Sequence, residues 1–152
     1  MTTSVEIFEK KLSQFTGAPY VVTTDCCTHA IELCFRLLDI KSCSFPAYTY
    51  ISVPMTMKLL NVDYKLSDSA WKDQYQFIGT PVWDSARCLQ PDMYKSEQYQ
   101  CLSFGPGKPL DNVRGGAILL DNPEHYKQLK EMSYDGRDVS YDKWIDQKVF
   151  KQ

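Results

Sequence analysis

The residue best suited to covalent chemistry is a lysine set among glycines and prolines, in Ser103-Phe104-Gly105-Pro106-Gly107-Lys108-Pro109-Leu110. The apolar Cys101-Leu102 precedes this stretch and Gly115-Gly116-Ala117-Ile118-Leu119-Leu120 follows it, so Lys108 is expected on a constrained loop beside a sheet. An amine attacks an aldehyde only when it is partly desolvated and held in place, and a loop shaped by Pro and Gly at a strand end does both. A surface lysine in a turn has the same local sequence, so the rest of the chain must decide. Thr28, Asp84 and the cluster Tyr48-Thr49-Tyr50 also fall just after apolar, strand-like stretches. An anion site at a helix start, a carboxylate, an aromatic ring and a lysine in one crevice would suit an anionic, aromatic aldehyde cofactor.

The elements that must position these residues alternate along the chain. Thr3-Ser4-Val5-Glu6 is a capping-box pattern, and Phe8, Leu12 and Phe15 repeat at helical spacing until Gly17 offers a stop. Tyr20-Val21-Val22 reads as a buried strand running into a helix that starts near Thr28 and carries Ile31, Cys34, Phe35 and Leu38 on one face. Residues 42 to 45 are predicted as a strand ended by Pro46. A third helix is predicted from 51 to 60, with Pro54 in its first turn and Asn61 as a left-handed stop. Further strands are predicted over 62–66, 77–83, 99–104 and 116–120, and a last helix over 123–132. Strands separated by helices predict an α/β three-layer sandwich with a mainly parallel sheet.

Bulk properties narrow the class. The chain has 152 residues, 43% of them apolar, which suffices for one domain with a real core. With 17 basic and 19 acidic residues the net charge is −2, so bulk charge invites neither nucleic acid nor an anionic membrane. No apolar run approaches the roughly 18 residues of a membrane span, and the amino end lacks a signal-peptide pattern, so a reducing cytoplasm is expected. Cysteines 26, 27, 34, 43, 88 and 101 are then expected as thiols. Neither the Cys26-Cys27 pair nor His29 and His125 have the spacing of a zinc site. The lysine loop also lacks the spaced first glycine and the following Ser/Thr of a nucleotide-binding loop.

Four stretches in order resemble the DegT/DnrJ/EryC1/StrS family of sugar aminotransferases, which use pyridoxal 5′-phosphate (PLP) on the fold-type-I scaffold. Phe15-Thr16-Gly17 and then Asp25-Cys26-Cys27-Thr28-His29-Ala30 match the family's opening helix end and its Asn-Ser-Gly-Thr-x-Ala turn. Pro46-Ala47-Tyr48-Thr49-Tyr50 matches its proline and aromatic-Thr signature, and Asp84-Ser85-Ala86 its Asp-x-Ala. Ser103 to Leu120 matches its lysine loop, Gly-Gly and apolar strand without a gap.

The resemblance implies that Lys108 bonds the cofactor aldehyde and later moves the proton between substrate and cofactor carbons. It implies that Asp84 pairs with the pyridine nitrogen, that Thr28, the backbone near Cys27 and Ser103 hold the phosphate, and that Tyr50 stacks on the ring. Tyr48 fits a packing role equally well. Arg87 stands where the family favours Gln or His, and is expected to reach the phenolic oxygen or a substrate anion. Cys27 replaces a glycine and is expected to crowd the approach to the phosphate. Val113-Arg114 replaces the family's Gly-Glu, and Asp135-Gly136-Arg137 resembles its Asn-His-Gly segment. Because the sequence ends at Gln152, the expectation is a single PLP-binding domain over 1–152, resembling the family's large domain without its carboxyl-terminal small domain. Trp144, Val149 and Phe150 are expected to cap the shortened core.

The implied activity is amino transfer from glutamate to a nucleotide-linked keto sugar, in a homodimer or higher homo-oligomer. The alternative is a cofactor-binding remnant or interaction module, as in a shortened or virus-borne copy, without efficient turnover.

Overall fold

The computed structural model describes residues 3–134. Asp135-Gly136-Arg137, Trp144, Val149 and Phe150 lie outside these described residues. Helix α1, Ser4–Thr16, starts as its sequence predicts: Thr3 Oγ1 accepts from the Glu6 N–H at 3.2 Å, and Glu6 Oε2 accepts from the Thr3 N–H at 2.6 Å. Gly17 ends it in the left-handed region, at φ 76°. Strand β1, Tyr20–Thr24, leads to α2, Cys27–Leu37, and β2, Ser42–Pro46, to α3, Ser52–Leu59. Asn61 stops α3 with φ 53°, and β3, Asp63–Ser67, follows. The chain continues through β4, Tyr75–Gln76, β5, Val82–Asp84, β6, Tyr99–Ser103, β7, Gly116–Leu120, and α4, Pro123–Met132.

Two sequence expectations require correction. The segment expected as one strand over 77–83 is a hairpin, in which the Phe77 N–H donates to the Val82 carbonyl and the Thr80 hydroxyl donates to the Phe77 carbonyl. Gly79, at φ 91°, supplies the positive φ of that turn.

The main sheet, in order β1-β7-β6-β5-β4, is also mostly antiparallel, and only β5 and β6 pair in parallel. For the β4–β5 pair the physical cause is connection length. A parallel neighbour needs a crossover of about a dozen residues or more, whereas only residues 77–81 separate β4 from β5. β2 and β3 form a separate parallel pair, joined to this hairpin by two backbone bonds between Ser44 and Ile78.

The sheet still divides the core into two layers, because side chains alternate across each strand. Val22, Ile118 and Leu120 pack with α2 and α4 residues such as Ile31, Phe35 and Leu129. Val21, Ala117 and Leu119 face the other way, onto Leu12 of α1 and Leu102 and Phe104. Glu9 of α1 is buried, and it accepts from the Thr23 backbone and hydroxyl and from Lys130 Nζ, each at 2.9 Å. That cluster ties α1, β1 and α4 together. No helix among the described residues is long and apolar enough to cross a membrane.

Candidate active site

The strand directions bring four chain segments to one edge. β1 and β6 are each antiparallel to β7, and β5 is parallel to β6, so β1, β5 and β6 all end on the same side. β2 ends there too, through its antiparallel link to Ile78. Asp84 closes β5, Ser103 closes β6, Thr28 lies in the first turn of α2, and Tyr50 follows β2.

A crevice of about 350 Å3 opens at this edge and is lined by Cys27, Thr28, Tyr50, Asp84, Ser103 and Lys108, with Cys26, Ser52, Ala86 and Pro106 among their neighbours. Six of the seven sequence candidates therefore meet. Arg87 does not: it sits exposed on the turn closed by the Cys88 N–H to the Ser85 carbonyl, and it does not line the crevice. A larger hollow, about 720 Å3 beside Phe35, Ile40, Leu60 and Met132, holds none of these groups.

The local geometry follows from the sequence. Gly105 to Lys108 form a turn closed by the Lys108 N–H to the Gly105 carbonyl, with Pro106 at its second position and Gly107 at φ 73° at its third. Asp111 ties this loop down by accepting from the Gly107 and Val113 N–H groups, and those two bonds hold its carboxyl below the ordinary range. Gly116 is fixed by close approach: a Cβ there would lie 2.5 Å from the Cys26 carbonyl carbon and 2.7 Å from the Cys27 nitrogen. The second glycine of the Gly-Gly pair thus lets the start of α2 sit directly on β7.

Cys27 does not crowd the crevice with its thiol. Its Sγ turns inward and donates to the Cys101 carbonyl at 3.4 Å, and burial pushes the thiol well above its usual pKa. The cap residue Cys26 makes no side-chain cap bond at the start of α2. Thr28 Oγ1 donates to Ser52 Oγ at 2.8 Å, which joins the starts of α2 and α3 across the crevice wall. Ser103 Oγ accepts from the Gly105 N–H at 3.4 Å. Tyr50 stands at the mouth, 73% exposed.

Asp84 is buried at 7% exposure. Its Oδ1 accepts from the Ala86 N–H at 3.0 Å and its Oδ2 from the Tyr75 hydroxyl at 2.9 Å. Burial raises its pKa, opposed by the Ala86 and Tyr75 bonds and by the charge of Lys108. Ser52, Thr49 and Tyr75 escaped the sequence reading. Thr49 lay inside the aromatic signature, but no local pattern marks Ser52 or Tyr75 as polar partners.

Outside the crevice, Asp25 bonds His29 Nδ1 at 2.5 Å and Arg114 at 2.8 Å. Partial burial pushes its pKa up, but the His29 and Arg114 bonds together leave it lowered. Asp25, Cys26 and His29 place ligand-type atoms within 4.8 Å of one another, yet the Asp25 carboxylate is already taken by its two cationic-type neighbours.

The fold is similar to that of solved fold-type-I PLP aminotransferases. It superimposes on DesV from S. venezuelae, solved with a ketimine intermediate, with TM-score 0.75 and 16% identity over 93% of this chain and 50% of that one. DesI, solved in the presence of its TDP-sugar product, gives 0.74 and 15% over 90% and 46%. The PLP form of Spr1654 from Streptococcus pneumoniae, described as a sugar aminotransferase, gives 0.74 and 20% over 93% and 53%. The chain thus spans about half the length of the solved proteins it matches. The model of the DegT/DnrJ/EryC1/StrS aminotransferase family matches residues 1–69, and the resemblance carried by the motifs is borne out there. No curated protein matches the sequence.

Proposed function

We propose that this chain is the PLP-binding domain of an aminotransferase. The observation that carries the reading is the meeting of Lys108 and Asp84 in one crevice with the first turn of α2. The residues present fit the group: an amine for its aldehyde, a buried carboxylate for its ring nitrogen, hydroxyls on Thr28 and Ser103 beside a helix start for its phosphate. Tyr50 at the mouth offers a face to the ring, and Ser52 extends the hydroxyl wall beside Thr28.

When bound, PLP supplies an electron sink for charge developing on the substrate's α-carbon. Lys108 holds the cofactor and moves a proton from its Nζ. Asp84 keeps a positive charge on the ring nitrogen. Glutamate as amine donor and a nucleotide-linked keto sugar as acceptor extend this reading, supported by the family match and by the sugar-linked structural neighbours. A homodimer belongs to the same proposal. Tyr48, Tyr50, Ile51, Met55 and Leu59 form exposed apolar surface around the crevice mouth and α3, the kind of patch that marks an association site. A cytoplasmic setting agrees with six unpaired cysteines.

Mixing the purified protein with PLP tests the reading. The expected result is a visible absorption band distinct from free cofactor, lost in Lys108→Ala; identical spectra for both proteins and free PLP overturn it. Glutamate should then bleach the band and release 2-oxoglutarate. A band that glutamate leaves unchanged would overturn amino transfer and leave cofactor binding in place.

A further inference from the structure

The crevice residues rest on a polar chain that reaches them from behind. Tyr75 on β4 is paired directly with Asp84 on β5, which sets both side chains on one face of the hairpin. Its ring is clamped edge-on by Trp71, at 5.0 Å, and by Phe77, at 5.5 Å. Trp71 is itself fixed, because its Nε1 donates to the Tyr48 carbonyl at 2.7 Å. The Tyr75 hydroxyl lies 2.9 Å from Asp84 Oδ2 and 2.6 Å from Thr49 Oγ1.

Proton counting gives this chain a direction. A phenol has one O–H, and an ionised carboxylate only accepts. When Tyr75 donates to Asp84, the Thr49 hydroxyl must donate to the Tyr75 oxygen. The chain Thr49 to Tyr75 to Asp84 is fully satisfied with the carboxylate ionised. With Oδ1 held by the Ala86 N–H, the carboxylate is fixed at both oxygens.

We infer that Tyr75 is a positioning residue, oriented by Thr49, that keeps Asp84 ionised and fixes the direction in which its carboxylate meets a ligand. The inference rests on the PLP reading for its purpose, though not for its geometry. A buried carboxylate tends to hold its proton, and a neutral Asp84 could not stabilise a protonated ring nitrogen. The other titratable groups acting on Asp84 are few. Lys108 on the loop favours ionisation, whereas Cys27 of α2 and Cys101 of β6 have thiols pushed well above their usual range and stay neutral. Tyr75 therefore supplies the side-chain hydrogen bond to the one carboxylate in the crevice. Thr49 also neighbours Tyr50, so the loop at the mouth and the carboxylate at the base share one connection.

The test uses the full chain and needs no cofactor for its first arm. The Asp84 carboxyl is titrated by carbon-13 NMR in the wild type, Tyr75→Phe, Thr49→Val and Thr49→Ser. Phenylalanine keeps the clamped ring and Thr49→Val leaves Tyr75 in place, so a folded variant is available either way. The Asp84 titration should move upward by about one pH unit in Tyr75→Phe, tenfold in protonation equilibrium. Thr49→Val should move it less, in the same direction, and Thr49→Ser should restore it. Unchanged titration in both Tyr75→Phe and Thr49→Val overturns the inference.

The second arm adds PLP with a nitrogen-15 label in its ring. Tyr75→Phe should still bond cofactor through Lys108, but its ring nitrogen should lose its proton at lower pH. Failure of the wild type to bind PLP would overturn the proposed function while leaving the first arm's answer standing.

Discussion

Burial and the proposed role pull Asp84 in opposite directions. Because its folded pKa is raised, Asp84 keeps its proton longer in the folded chain than in the unfolded one. Its contribution to stability is therefore full below the unfolded carboxylate range and is lost as pH rises through the raised folded value. Asp84→Asn should then stabilise the cofactor-free protein at neutral pH and flatten this part of its pH profile. A gain of about 1 kcal/mol would appear as roughly 2–4 °C in Tm, read by thermal melts at several pH values. The same variant should lose PLP retention, a trade common to sites held in costly states.

Val113 presents a second residue-scale cost. It stands where the resembled family has glycine, and it adopts φ 65°, a conformation that a branched side chain resists. Val113→Gly should stabilise the fold by about 1–2 kcal/mol, measured by urea unfolding. The replacement was legible in the sequence. Its backbone consequence was not, because only the fold shows that this position needs a positive φ.

Elements were legible where a local device marks them. The capping box at Thr3, the stop at Gly17, the left-handed Asn61 and the bounds of β7 and α4 all follow from residues at the boundary. The β4–β5 hairpin was misread because Phe77, Ile78, Val82 and Trp83 are all apolar. The turn between them shows in the Phe77–Val82 backbone bond, the positive φ of Gly79 and the Thr80 bonds to Phe77 and Val82. That misreading hid Tyr75, whose meeting with Asp84 depends on the hairpin register.

The lysine turn and the β7 start give predictions at this scale. Gly107→Ala meets no steric obstacle but must hold φ 73°, so it should cost about 1–2 kcal/mol and loosen the Lys108 loop. Gly116→Ala must push the start of α2 away from β7. It should cost about 1–3 kcal/mol in unfolding experiments and weaken cofactor binding, since Cys26, Cys27 and Thr28 all move with that helix start.

At the scale of the whole molecule, the strand-end rule located the crevice even though the sheet is not mainly parallel. What the rule needs is that β1, β2, β5 and β6 end on one side, and antiparallel β7 between β1 and β6 does not disturb that. The chain covers about half the length of its structural neighbours, and the homodimer proposed above would set a second copy against the crevice mouth. The apolar surface at the crevice mouth favours the second copy. Sedimentation of the wild type should show association that Met55→Lys with Leu59→Lys abolishes; a monomer at every concentration would refute that part.

The central claim is that the Lys108 amine and the Asp84 carboxylate serve one bound ring. Its most direct test is to incubate the protein with PLP, reduce with borohydride, and map the modified lysine by peptide mass spectrometry. The account expects one stoichiometric pyridoxyl label on the peptide carrying Lys108, strongly diminished in Asp84→Asn. Label scattered over surface lysines, or a Lys108 peptide left unmodified, would contradict it.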